Sequence, residues 1–217
     1  MDNLRYILAV VAVMVASVSI KAAEPVNGVK PESHTIYASI GYSGMLTPMP
    51  KNFDSGSFSS GMDWMIGYDR MYHYHKVGYG VLYSGSMATG KYLGLKQHLY
   101  INYIAPQFVG STYKAGSRAK FNLHFGFGLM SATESMPGGV VYTQTVHGFS
   151  KTHFGIGFNF AFGTEYKLND TMGLIVNVAD VFGFIGYDFD INGVKCIDPQ
   201  THFLSRASLD IGQKFNF

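Results

Sequence analysis

Apolar residues occupy every second position over much of this sequence, most regularly in its last segment. From Ser205 to Phe217 the odd positions carry Ala207, Leu209, Ile211, Phe215 and Phe217, and the even positions carry polar residues or glycine. A β-strand places successive side chains on opposite faces, so this segment predicts a strand with one apolar and one polar face. A terminal aromatic ring beside a carboxylate suits a boundary between lipid and water. We therefore interpret it as the closing strand of a transmembrane β-barrel, with the apolar face outside.

The same alternation recurs in seven earlier segments of roughly ten residues, the length that a tilted strand needs to cross a bilayer. They are 34–43, 61–72, 77–84, 97–108, 121–129, 154–163 and 172–181. In lipid, an open sheet edge would leave N–H and C=O groups without hydrogen-bond partners, so such a sheet must close. The pattern predicts an all-β fold, an eight-stranded antiparallel up-and-down transmembrane β-barrel over residues 34–217.

The first 33 residues do not share this alternation. Arg5 precedes a continuous apolar run from Tyr6 to Ile20, and small residues follow at Ala22 and Ala23. This order is typical of a secretory signal peptide, and the run is short for a spanning helix. We predict a cleaved signal peptide at 1–22 and a periplasmic tether at 23–33, with an uncleaved anchor helix as the alternative.

The connections between predicted strands alternate in length. Long segments rich in Gly, Ser and aromatic residues cover 45–60, 131–151 and 182–200, whereas the turns after the second and sixth strands are tight. Bacterial barrels have short periplasmic turns and longer external loops. Both chain ends are therefore expected on the periplasmic side, with the three long loops available for an extracellular ligand.

Composition agrees with a membrane protein and excludes some functions. Charged residues make up 14% of the chain and aromatic residues 15%, against about 25% charged residues in soluble domains. The net charge is only +2 and no dense Lys/Arg patch is present, which argues against nucleic-acid binding. Cys196 is the single cysteine, so an intrachain disulfide is excluded.

Inward-facing positions carry a polar and charged set that we expect to form a lumen network. Its members are Asp63, Asp69, His98, Asn102, His124, Asn159, Glu165, Arg206, Asp210 and Lys214. The interior of an eight-stranded barrel is just wide enough to be filled by side chains, and buried charges need partners. A packed, hydrogen-bonded plug is therefore favoured over a narrow path for ions or small solutes. On the outer face, tyrosines are expected to form an interfacial girdle; these are Tyr42, Tyr68, Tyr72, Tyr79, Tyr103 and Tyr166.

From His34 to Phe217 the sequence resembles the small outer-membrane β-barrel proteins of Gram-negative bacteria, the OmpX/OmpA-barrel type. The most specific part of the resemblance is the end of the chain, which is similar to the C-terminal signal read by the barrel-assembly machinery. The residues that match this signal are Leu209, Ile211, Gly212, Phe215 and Phe217. The resemblance implies the outer membrane as location and lipopolysaccharide and the assembly machinery as partners. The family includes adhesion-linked proteins and some lipid-modifying enzymes.

A lipid A acyltransferase or deacylase would need a histidine base near a serine and an acid at the outer rim. Candidate pieces are His147, His153, His202, Ser131, Ser135, Ser150 and Glu134, but no local motif joins them. We therefore expect no catalytic, cofactor-binding or metal-binding residues. The predicted function is a monomeric, non-enzymatic scaffold that presents surface loops for adhesion, host or envelope interaction. A narrow channel and a lipid A-modifying enzyme are the alternatives.

Overall fold

The computed structural model describes residues 32–46, 58, 60–72, 76–92, 95–112, 117–141, 144–191 and 194–217. The predicted signal peptide and nearly all of the predicted tether lie outside these residues and stay predictions. In the described part of the chain, no helix is long and apolar enough to cross a membrane.

The described residues contain ten strands: β1 Glu32–Met45, β2 Ser60–Tyr72, β3 Val77–Tyr92, β4 Leu95–Ser111, β5 Ala119–Met136, β6 Gly139–Val141, β7 Gln144–Val146, β8 Phe149–Lys167, β9 Met172–Ile191 and β10 Val194–Asn216. Eight of them form one closed barrel in the order β1-β10-β9-β8-β5-β4-β3-β2, and β6 pairs only with β7. Every barrel pair is antiparallel. The predicted eight-stranded antiparallel barrel is therefore confirmed.

The register fixes the stagger of the barrel. A row of paired residues that starts at Thr35 on β1 passes once around the sheet and returns to β1 at Met45, ten residues further on (45 − 35); it runs through Asp69, Gly80, Gln107, Gly126, Asn159, Val181 and Arg206. Such a stagger over eight strands tilts them by about 40° from the barrel axis. An interior of this size is just wide enough to be filled by side chains.

Large apolar side chains cover the outside of the barrel. On β5, Phe125 is 49% exposed and Leu129 is 67% exposed, while on β9 Val178 is 57% exposed. The buried residues between them point into the lumen, where charged side chains such as Asp63 and Glu165 are 0% exposed. This arrangement inverts that of a soluble protein, because lipid is the solvent outside.

The eight barrel strands are longer than the sequence pattern predicts, at 13 to 23 residues. The segments 131–151 and 182–200, which we expected to be loops, consist largely of the ends of β5, β8, β9 and β10 together with β6 and β7. The alternation between apolar and polar residues fades there because the outward side chains, such as Thr133 and Ser135, no longer meet lipid; their partners on β8 are Thr152 and Ser150. Most of the third predicted loop, 45–60, lies outside the described residues.

Candidate functional site in the lumen and on the barrel wall

A carboxylate bridges two lysines in the lumen, at the end of the barrel where β10 ends. Glu165 on β8 is 0% exposed. Its Oε1 lies 3.1 Å from Lys120 Nζ on β5, and its Oε2 lies 2.8 Å from Lys214 Nζ on β10. Three strands are thus joined by one buried triad, in which each charge has an opposite partner.

A second polar cluster lies around Asp69 on β2. Gln107 Nε2 donates to Asp69 Oδ1 at 2.8 Å and to the Tyr37 hydroxyl at 2.8 Å. His124 Nε2 lies 3.1 Å from the other carboxylate oxygen of Asp69. Tyr37 fits here because Gly67 faces it, and a Cβ on Gly67 would stand 2.2 Å from the tyrosine ring.

Arg206 organises the middle of the lumen. Its guanidinium donates from Nη1 to Asp63 and from Nη2 to Ser84 Oγ at 2.5 Å, so β10 is connected across the interior to β2 and β3. Asp210 accepts a hydrogen bond from Ser208 at 2.7 Å. The Tyr103 hydroxyl donates to Asn159 Oδ1 at 3.1 Å.

Toward the other end of the barrel, opposite the C-terminus of β10, the lumen becomes apolar. An apolar plug fills it, and each of its members is at most 1% exposed; the members are Leu99, Ile101, Met130, Ile185 and Leu204. Close-packed side chains leave no room for a continuous file of water, and ions would lose their hydration at an apolar constriction. The plug thus favours a filled scaffold over a conducting path.

The structure brings together eight of the ten residues expected in the lumen network, but not His98 and Asn102. On β4 the buried, inward residues are Leu99, Ile101 and Tyr103, so the alternation has the opposite phase. Asn102 lies on the outer face, where it accepts a hydrogen bond from Tyr83 at 2.9 Å. The same phase corrects Tyr103, which belongs to the lumen and not to the tyrosine girdle. The prediction for β4 was wrong because it assumed that polar residues face the lumen, whereas the lumen is apolar at the level of Leu99 and Ile101.

The pieces of the alternative acyl-transfer site fall on opposite faces of the sheet. Glu134 and His153 are buried on the inner face, whereas Ser135 and Ser150 are paired on the outer face. Ser131 is paired with the outward Phe154, and His147 is exposed. The side chain of His202 lies outside the described residues. Within the described residues, no group of three or more His, Cys, Asp or Glu is placed to hold a metal ion.

The C-terminal strand closes the barrel against β1. Phe217 N donates to the His34 carbonyl at 3.0 Å, and His34 N donates back at 3.3 Å. The outward Leu209, Ile211 and Phe215 are each more than 40% exposed. Gly212 faces inward, where an added Cβ would stand 2.1 Å from the Ala38 carbonyl oxygen. Most positions that match the assembly signal therefore form a lipid-facing row on β10, and Gly212 is a point where the backbones of β10 and β1 approach closely.

No family model matches the sequence, and no curated protein matches it. Among solved structures, Neisserial surface protein A (NspA) is similar with a TM-score of 0.51 at 15% identity, over 86% of this chain and 97% of that one. Ail, the attachment invasion locus protein of Yersinia pestis, gives a TM-score of 0.47 at 6% identity, over 86% and 98%. OprG of Pseudomonas aeruginosa gives 0.42 at 13%, over 89% and 99%. Together with the closed, lipid-facing sheet, the likeness to NspA shows that this chain has the fold of the small eight-stranded outer-membrane β-barrels.

Proposed function

We propose that this protein is a non-enzymatic scaffold in the outer membrane of a Gram-negative bacterium, and that its projecting strands make contacts at the cell surface. The outward apolar side chains, among them Phe125, Leu129 and Val178, form an apolar belt around the barrel. The observation that carries the proposal is the continuation of β5 and β8 beyond this belt. There Thr133 and Thr152 share a hydrogen bond of 2.8 Å on the outer face, and Met136 pairs with Phe149 at the top of the sheet. A preformed sheet loses less conformational entropy on binding than a loop does.

The filled lumen supports this function over transport. Arg206 crosses the interior to Asp63, and the apolar plug lies beyond it. A solute path would require both layers to move, at the cost of an unpaired buried charge. We further propose that the apolar belt contacts the lipid of the outer membrane, lipopolysaccharide included, and that β10 is read by the barrel-assembly machinery.

A trimmed variant tests the scaffold proposal. Because Met136 and Phe149 are directly paired, residues 137–148 can be replaced by Asn-Gly, which favours a two-residue hairpin turn. We expect the trimmed barrel to fold, and cells that express it to adhere to immobilised matrix proteins or to one another less than cells with the full chain. Equal adherence of full-length, trimmed and empty-vector cells would contradict surface binding by this hairpin.

Two further measurements separate the alternatives. In planar bilayers the purified barrel is expected to give no stepwise current, and a reproducible unitary conductance would favour the channel. Mass spectrometry of lipid A from cells with and without the protein is expected to show the same species. A difference of one acyl chain would favour the enzyme.

A further inference from the structure

Asp180 is an acidic residue within the lipid-facing wall. The sequence pattern placed it near the end of a strand, but β9 continues to Ile191, and Asp180 lies on the outer face between Val178 and Phe182. Below it on the same face, Val176 is 45% exposed. A polar side chain facing lipid at this depth is costly, and such residues usually have a partner.

Among the described residues, Asp180 has one hydrogen-bond partner. Ser205 Oγ on β10 donates to its Oδ1 at 3.0 Å. A carboxylate has two oxygens with about four acceptor positions, so most of its capacity is still available. Its paired neighbour on β10 is Ala207, and Ala207 in turn pairs with Gly44 on β1. These small residues make a shallow notch beside the bulky Phe160 and Phe182.

A phenol lies on the other side of this notch. Tyr42 on β1 is 64% exposed and its hydroxyl contacts Ser60 Oγ. Strand tilt makes the row of paired residues from Asp180 through Ala207 to Gly44 rise toward the end of the barrel that we expect at the cell surface. Ten residues of stagger over eight strands correspond to a rise of about 1.25 residues per strand (10/8). Two strands correspond to about 2.5 residues, so the position of β1 level with Asp180 is Tyr42.

We propose that a second copy of this chain docks on the β9–β10–β1 face around a two-fold axis along the membrane normal. An axis near Ala207 and Leu209 keeps every residue at its own depth, so Asp180 of each copy meets Tyr42 of the other. A two-fold contact of this kind is self-complementary. Small residues at its centre let the two walls approach closely, as they do in other membrane contacts.

The hydrogen bonding is consistent with this dimer. In the structure the Tyr42 hydroxyl donates to Ser60 Oγ. In the dimer it can donate to Asp180 of the second copy and accept from Ser60 instead, since each hydroxyl both donates and accepts. Two such bonds would form, one on each side of the axis, and both carboxyl groups would be shielded from lipid. The proposal depends only on the fold and the apolar belt, and it replaces the expectation of a monomer.

Disulfide trapping tests the axis. In a Cys196→Ser background, Ala207→Cys is expected to give a covalent dimer on oxidation in intact outer membranes, because the two cysteines would meet within disulfide range. The matched control is Ile104→Cys, also lipid-facing, on β4, four strands away around the ring of eight. Equal cross-linking at the two positions, or none at 207, would overturn the proposal. Heat-dependent mobility on gels verifies that each variant is folded.

Energy transfer between labelled barrels in lipid vesicles tests the hydrogen bonds. Tyr42→Phe, which keeps the ring, is expected to raise the dimer dissociation constant about tenfold through the loss of two membrane hydrogen bonds. Asp180→Leu should act alike, while Asp180→Asn keeps an acceptor and most of the dimer. Tyr79→Phe, also on the outer face, serves as the control. If Tyr42→Phe dissociates no more than Tyr79→Phe does, the proposed contact is wrong.

Discussion

Lys214 Nζ lies 2.8 Å from Oε2 of Glu165, and the other oxygen of the same carboxylate is occupied by Lys120. The lysine comes from the closing strand β10 and the glutamate from β8, with β9 between them. The side chain of Glu165 is 0% exposed and that of Lys214 is 7% exposed. This pair therefore joins strands across the lumen in addition to the backbone ladder.

Removal of the shared carboxylate tests how much this triad stabilises the barrel. Glu165→Gln removes the counter-charge of the buried Lys214 ammonium and one partner of Lys120, and we expect a loss of about 3–5 kcal/mol in the free energy of unfolding. Urea titration of the barrel in lipid vesicles measures it. Asp170→Asn is the control, because Asp170 pairs with Lys167 at an exposed turn and its loss should not be measurable. Equal unfolding midpoints for the two variants would show that the buried triad adds nothing.

The end of β10 provides a test of assembly that is separate from stability. Phe217→Ser removes the last ring of the predicted assembly signal, and we expect a several-fold lower amount of folded protein in the outer membrane. Phe203→Ser, an equally lipid-facing change on the same strand, lies outside the signal and should reduce assembly much less. Pulse-chase labelling with heat-dependent gel mobility follows folding of both. Equal assembly rates would contradict a special role for Phe217.

Alternation was sufficient to predict the barrel because apolar residues face lipid and polar residues face the lumen over most of the apolar belt. On β5, Phe121, Phe125 and Leu129 face lipid while Asn122 and His124 face the lumen. The rule requires a polar lumen, and it fails where the lumen is apolar. On β4 both faces mix polar and apolar residues. The alternation therefore predicts Asn102 in the lumen and Ile101 in lipid, whereas Asn102 lies on the outer face and Ile101 lies in the lumen.

The side-chain pairs within the lumen could not be predicted from the sequence, for a different reason. Arg206, Asp63 and Ser84 come from three strands, and only the ten-residue stagger of the closed sheet brings them together. A sequence pattern shows the face of each strand but not the register between strands. For the same reason, the sequence pattern did not show that Asp180 and Tyr42 lie at the same level along the barrel axis, because that depends on strand tilt.

Site-directed spin labelling tests the corrected phase of β4. In a Cys196→Ser background, a label at Asn102→Cys is expected to be accessible to oxygen dissolved in lipid. A label at Ile101→Cys should be immobilised and shielded from oxygen and from water-soluble relaxants, because Ile101 is 1% exposed within the plug. Electron paramagnetic resonance measures both accessibilities. The reverse pattern would restore the phase predicted from the sequence.

We predict a pH-dependent step at Glu134, beyond the apolar belt at the end of the barrel opposite the C-terminus of β10. It is buried on the inner face of β5 and accepts a hydrogen bond from Gln97 on β4. Burial raises the pKa of Glu134 from 4.5 to about 7, since desolvation disfavours the charged carboxylate. The folded state therefore keeps this proton over a range in which the unfolded chain has lost it.

The sign of the effect follows from linkage. The stabilisation of this end by protonated Glu134 is complete below about pH 4.5 and is lost as the pH rises through about 7. Amide protection of the β4–β5 ends, corrected for intrinsic exchange, should thus be higher at pH 5 than at pH 8. Glu134→Gln, which cannot titrate, should remove the difference while it retains an acceptor for Gln97. An unchanged pH dependence in the variant would contradict this prediction and assign the step to another titrating side chain.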